Sequence, residues 1–200
     1  MKNCIHKSGL FYTAAYTFLF SISAVAQVDS SGMPRFKFET SAEYLVPTNS
    51  NRHIYTQSLN ELMGVEFFDR MPLSLYGGIT ITHPWGSQQD DQSPDTSYHN
   101  NTIGAGPVFM FRFEPFVLNR FSVSHDISGG IIFYLKEFPV GGAHYNFMWR
   151  VGFSAHYRFT NRIACLAYYR WMHVSNGQGL GPQNPAYEGR GPGAGISFYF

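Results

Sequence analysis

From residue 35 onward, apolar side chains recur at every second position, and the positions between them carry polar and charged groups. Phe147, Trp149, Val151, Phe153, Ala155 and Tyr157 alternate with Asn146, Met148, Arg150, Gly152, Ser154, His156 and Arg158. Phe36, Phe38, Ala42 and Tyr44 stand opposite Arg35, Lys37, Glu39, Ser41 and Glu43, and Leu73, Leu75, Ile79 and Ile81 opposite Ser74, Tyr76, Thr80 and Thr82. Side chains on a strand alternate between faces, so this period specifies β-structure and excludes an amphipathic helix. Eight such segments are predicted, at 35–46, 58–68, 73–83, 101–113, 119–134, 144–158, 162–175 and 188–200. Short connections are expected at Asp69-Arg70-Met71-Pro72, Glu114-Pro115 and Thr160-Asn161, and longer ones at 47–57, 84–100, 135–143 and 176–187. No fixed-period repeat or interdomain linker separates them.

The two faces decide the environment. An eight-stranded barrel has an interior just wide enough to be filled by side chains. Lys37, Glu39, Arg150 and Arg158 can pair across such a lumen, whereas in hydrocarbon they would be costly. The polar face is therefore expected inside and the aromatic face against lipid. A soluble lipocalin-like barrel needs the reverse. The expected fold is all-β: an eight-stranded antiparallel transmembrane β-barrel of the bacterial outer membrane, whose connections alternate between short and long. A mean hydropathy of −0.17 argues against a bundle of membrane helices but not against alternating strands. A net charge of +1 gives no electrostatic case for nucleic acid.

The first 26 residues read as a secretory signal peptide: Lys2, His6 and Lys7, then apolar Leu10 to Phe20, then Ala24-Val25-Ala26 as a small-x-small cleavage site. The domain division is thus 1–26 signal peptide and 27–200 barrel. Removing Cys4 leaves Cys165, so no intramolecular disulfide is expected, and no Cys/His spacing suits a metal. The last residues, Gly195-Ile196-Ser197-Phe198-Tyr199-Phe200, resemble the C-terminal strand that barrel-assembly machinery recognises in outer-membrane proteins.

One constellation could do chemistry. His173 and Ser175 are two apart, hence on one face of a strand with Cα atoms about 6.5–7 Å apart. A serine hydroxyl needs such a base to become nucleophilic. Asn176 follows, with an amide able to donate to an oxyanion. Glu188, across the loop, could hold the imidazole tautomer and stabilise the imidazolium. Parity puts His173, Ser175 and Glu188 together on the outward face, provided that Gly189–Gly195 holds no bulge. Tyr169 and Trp171 just below suit an aromatic belt or an acyl groove.

His173-x-Ser175-Asn176, a Gly/Pro/Asn loop containing Asn184, and Glu188 opening the last strand resemble the PagL-type lipid A 3-O-deacylases. These are eight-stranded outer-membrane esterases. The resemblance, sharp over 170–200, implies Ser175 as nucleophile, His173 as general base and acid, Glu188 as the orienting carboxylate and Asn176 as an oxyanion donor. It implies lipid A of the outer leaflet as substrate and no cofactor. Trp171, Tyr169 and Arg190 are substrate-binding candidates, and Arg170 and Lys136 are further cations that could meet its phosphates, although Arg170 has lumen parity. A homodimer is compatible with the sequence.

Other features carry less. Asp90, Asp91 and Asp95 lack the spacing of a Ca²⁺ loop; His83 and His99 read as rim residues; Gly177-Gln178-Gly179-Leu180-Gly181 is followed by no helix and is no dinucleotide fingerprint. His125 has lipid-face parity beside Asp126, suggesting a bulge or register shift. The alternatives to an esterase are a structural or adhesive barrel, or a phospholipase or acyltransferase with related site chemistry. A protease site inserted within 84–100 should be cleaved on intact cells and one at Asp69–Pro72 protected; the opposite pattern would turn the rim bearing Ser175 toward the periplasm.

Overall fold

The alternation seen in the sequence becomes an antiparallel ladder. The computed structural model describes residues 36–66, 72–89, 96–177 and 186–200. The proposed signal peptide, Arg35, Asp69 to Met71, the acidic loop residues Asp90, Asp91 and Asp95, and Asn184 lie outside the described residues. Nine segments are formed: β1 (Phe36–Pro47), β2 (Arg52–Glu66), β3 (Leu73–Gln89), β4 (Ser97–Asn101), β5 (Gly104–Leu118), β6 (Phe121–Phe138), β7 (Ala143–Arg158), β8 (Ile163–Ser175) and β9 (Tyr187–Tyr199). They run in the order β2-β1-β9-β8-β7-β6-β5-β3-β4, and a β2–β3 pairing closes the sheet. β4 and β5 keep one register along β3, with Trp85↔Asn101 and Thr82↔Gly104, and the Thr102 N–H donates to the Pro84 carbonyl between them. They are one barrel strand interrupted for two residues. The fold is a closed, antiparallel, eight-stranded β-barrel, in which the β2–β3 pairing removes the two sheet edges that would otherwise remain along the barrel wall.

Several boundaries differ from expectation. The stretches 47–57, 84–100 and 135–143, read as long connections, are largely strand: β2 starts at Arg52, β3 runs to Gln89 and β6 to Phe138. Their Gly, Pro and Asn content suggested loops, but cross-strand pairing overrides such weak local preferences. Glu114-Pro115 is not a turn. β5 continues through it with a register shift between Phe113 and Phe116, and the chain turns at Asn119, whose φ is +53°. Proline has no N–H for the ladder, which is why the irregularity falls there. Asparagine tolerates the left-handed conformation the turn needs. His125 needs no shift of its own. It faces outward, packed edge-on against Phe153 at 4.6 Å, while Asp126 beside it points into the lumen.

The polarity is inside out relative to a soluble protein. Lys37, Glu39, Ser41 and Glu43 on β1 are buried; Phe109, Phe111, Phe113, Ile127, Phe133, Trp149 and Phe153 are exposed. Lys37, Arg112, Arg150 and Arg170 meet Glu39, Glu43, Glu114 and Asp126 inside. Arg112 lies 2.6 Å from Glu39 and 2.8 Å from Asp126; Arg170 lies 2.8 Å from Asp126; Arg150 lies 2.9 Å from Glu43; Lys37 lies 3.3 Å from Glu114. Arg158 differs from expectation: it sits over the Tyr199 ring at 4.6 Å instead of pairing across the lumen. Beyond the charged layers, Leu45, Ile54, Ile132, Met148, Met172 and Val174 pack with Tyr134 and Tyr187, whose hydroxyls are 2.9 Å apart.

Large interior rings are seated on glycine. Tyr76, Tyr134 and Tyr168 lie directly opposite Gly64, Gly104 and Gly193, where an added Cβ would come within 2.4, 2.5 and 2.2 Å of the facing ring. The missing side chain makes room for each ring in a narrow lumen.

Because one guanidinium holds two buried carboxylates, Arg112→Met should cost about 3–5 kcal/mol of stability. Urea unfolding in detergent micelles would show it as a lowered midpoint. Adding Glu39→Gln should recover part of the loss, since the stranded charge is then removed.

Candidate active site

The β8–β9 ladder is unbroken from Ile163↔Phe198 to Val174↔Tyr187, and it sets His173 directly opposite Glu188. The glycines of β9 introduce no bulge, so the parity expected from the sequence holds. Met172, Val174 and Tyr187 point into the barrel, while His173 and Glu188 point outward and are half-buried, at 26% and 36% side-chain exposure. His173 Nδ1 lies 3.1 Å from Glu188 Oε1. A carboxylate at Nδ1 favours the tautomer with the proton there, which leaves the Nε2 lone pair available to accept one.

Glu188 is held from its other side as well. The Thr48 backbone N–H donates to the Glu188 carbonyl at 3.2 Å, and the Thr48 hydroxyl lies 3.5 Å from Oε2. Just before β9, the Ala186 carbonyl accepts a hydrogen bond from the Arg52 guanidinium. The start of β9 is thereby fixed to Thr48 in the connection after β1 and to the first residue of β2. Neither Thr48 nor Arg52 stood out in the sequence, because their relevance depends on β1 pairing with β9 across nearly the whole chain.

Two tryptophans line the histidine. Trp149 on β7 is the cross-strand partner of His173, with ring centroids 5.9 Å apart; Trp171 lies 6.2 Å from His173 and 4.5 Å from Trp149. Trp149 was visible only as one of many outward aromatics until register placed it here. Ser175 is two residues beyond His173 on the same face, opposite Phe147. No hydrogen bond joins Ser175 to His173 among the described residues. Such contacts in unliganded enzymes often tighten only around substrate.

The remaining candidates divide by face. Tyr169 is exposed two residues below Trp171, and Arg190 is exposed opposite Trp171. Arg170 is buried in the lumen between Asp126 and Glu43, so it does not reach a ligand outside. Lys136 is exposed on β6, two strands from β8. Asn176 follows Ser175 but is 1% exposed and has the inward parity of the even positions of β8, opposite to Ser175.

A second serine–histidine group lies inside the barrel. Ser154 Oγ is 3.1 Å from His156 Nε2 and donates to Asp126 at 3.2 Å; Ser124 completes the cluster. Here the carboxylate binds the serines and not the imidazole, so it cannot orient the histidine as a base. The group cross-links the lumen.

No family model matches the chain, and no curated protein sequence matches it. Among solved structures, its fold is similar to that of Neisserial surface protein A, at a TM-score of 0.57 and 12% identity over 82% of this chain and 97% of that one. It is also similar to the outer membrane enzyme PagL, at a TM-score of 0.53 and 16% identity over 78% of this chain and 97% of that one. The chain thus has the fold of the eight-stranded outer-membrane barrels. At such identities the likeness is one of architecture, and it is shared by a surface protein and an enzyme.

If Glu188 orients and charges the imidazole, Glu188→Gln keeps the shape and loses the charge. Loss of the analogous carboxylate in serine proteases costs about 10⁴ in turnover, so a drop on the order of 10²–10⁴ in kcat is expected here. Heat-modifiable gel migration should be unchanged. Near wild-type turnover would make Glu188 a rim residue.

Proposed function

We propose that this protein is an outer-membrane serine esterase that hydrolyses the 3-linked acyl ester of lipid A, exported by residues 1–26 and inserted as the barrel of 27–200. The single observation that carries the reading is the His173–Glu188 contact at 3.1 Å on the outer wall, next to Ser175. A charged carboxylate on a lipid-facing wall is costly unless paired near the interface. An inert barrel gains nothing from pairing it there with a histidine beside an outward serine. The fold likeness to PagL agrees with this assignment, as does the His173-x-Ser175-Asn176…Glu188 pattern.

In the proposed reaction, Ser175 Oγ attacks the ester carbonyl as His173 Nε2 takes the hydroxyl proton. Glu188 stabilises the resulting imidazolium, which returns the proton to the departing sugar oxygen. The acyl group is left on Ser175. Water, deprotonated by His173, then attacks the acyl-enzyme, and the proton returns to Ser175 as the 3-hydroxy fatty acid leaves. Each step needs one base that becomes an acid, and one carboxylate that stays ionised. Asn176 is the proposed oxyanion donor. Its side chain is buried on the inward side in the structure, so this role requires rotation at the 175–176 peptide, where β8 ends. Trp149, Trp171 and Tyr169 form the apolar wall against which an acyl chain would lie.

Ser175→Ala should fold normally, because the residue sits at the rim, and should release no fatty acid. Mass spectrometry of lipid A from cells expressing either form reads this directly. Deacylation that survives in Ser175→Ala would end the serine-esterase assignment.

A further inference from the structure

The row of outward side chains that carries His173 continues around the same rim, from strand to strand. His173 is opposite Glu188, and the Thr48 N–H reaches the Glu188 carbonyl on the other side. The Asn49↔Arg52 bridge extends the β1–β2 register and sets Thr48 opposite His53. His53 is opposite Ser87 on β3, and Ser87 is opposite His99 on β4. Two imidazoles therefore flank one serine on three neighbouring strands. Their chain neighbours Ile54, Gln88 and Asn100 are buried in the lumen, so His53, Ser87 and His99 share the outward face. Tyr55 and Trp85 form the next row toward the middle of the wall, which places the pair on the water side of an aromatic belt.

Both histidines are exposed, and among the described residues neither has a hydrogen bond, ion pair or ring partner. His83 differs: its Nε2 is 3.0 Å from Asn101 Oδ1 and its ring stacks on Trp85 at 5.1 Å. Two strand spacings put the His53 and His99 backbones about 9–10 Å apart. The same wall shows that side chains so separated can meet. Tyr44 on β1 and Trp85 on β3 also have one strand between them, and their ring centroids are 6.0 Å apart. Two imidazoles leaning over Ser87 can thus converge on one ion, with metal–nitrogen bonds of about 2.0–2.1 Å. Imidazole suits zinc, nickel and copper, whereas calcium and magnesium seek oxygen. The Ser87 hydroxyl lies between them, placed to bind a water that completes the coordination. β4 holds its ladder through β3 alone, so an ion shared with His53 would tie it to β2 as well.

We propose that His53 and His99 form a binding site for a divalent transition-metal ion, which bridges β2 and β4 over Ser87 and clamps that part of the rim. The test uses the full barrel in detergent micelles, without a polyhistidine tag. Calorimetric titration would compare Zn²⁺ and Ni²⁺ with Ca²⁺. One Zn²⁺ or Ni²⁺ should bind per barrel, and Ca²⁺ should bind far more weakly. His53→Ala and His99→Ala should each weaken Zn²⁺ binding by about tenfold or more, and the double variant should be no weaker than either, because a chelate is lost with its first arm. His83→Ala and His173→Ala should bind as the unsubstituted protein does. Zn²⁺ should also raise the urea midpoint of the unsubstituted barrel and leave that of His53→Ala or His99→Ala unmoved. Heat-modifiable gel migration would confirm that each variant is folded. Binding that survives loss of either histidine, or that is absent from the start, would leave both as separate rim residues and overturn the proposal. Loss of binding in His173→Ala would move the ion to the His173–Glu188 pair, and Ca²⁺ binding of equal strength would move it to carboxylates; either result overturns the proposal. None of these readouts depends on ester hydrolysis, so the metal site stands or falls apart from the esterase reading.

Discussion

Closure of the hydrogen-bond ladder is the constraint from which the other features follow. In hydrocarbon no water can satisfy a backbone N–H or carbonyl, so a spanning sheet must pair its first strand with its last. β1 pairs with β9 here from Lys37↔Tyr199 to Pro47↔Gly189. Once that seam is set, side-chain parity is no longer free. Every odd residue of β8 and every even residue of β9 near the rim faces outward together. Opposition of His173 and Glu188 is a consequence of register, and a slip of one residue on either strand would send one of them into the lumen.

The interior answers the same constraint from the other side. Turning the apolar face outward leaves the polar one to be packed in a space about as wide as the side chains themselves. Among the described residues, four lumen cations are ion-paired with four carboxylates, with hydroxyls and the Ser124–Ser154–His156 group filling between them. Removing either partner of a buried pair is far more damaging than replacing both. Rigid interior packing gives the outer wall a fixed shape, which a site made of side chains on strands requires.

Much of this was legible in the sequence, because alternation with opposite polarity leaves few folds. The strand count, the inward charges, the outward aromatics and the shared face of His173, Ser175 and Glu188 all follow from period two. What could not be read was anything that depends on which strand is whose neighbour. Thr48 and Trp149 join the site only through the β1–β9 and β7–β8 pairings, at long sequence distance. Strand lengths were underestimated at the rim, where Pro84, Gly86 and Asn100 read as loop but are held by partners. Asn176 adjoins Ser175 in sequence yet falls on the other face, since alternation separates consecutive residues as surely as it unites those two apart.

The position of the candidate site beside the seam has a consequence for the order of assembly. Its carboxylate is clasped by Thr48, from the start of the barrel, and its histidine lies on the penultimate strand. His173 and Glu188 meet within the β8–β9 hairpin, but Thr48 reaches the carboxylate only when the first and last strands have joined. The hairpin alone therefore holds the imidazole–carboxylate pair without its third contact. On the esterase reading proposed above, barrel closure supplies the last support of that carboxylate.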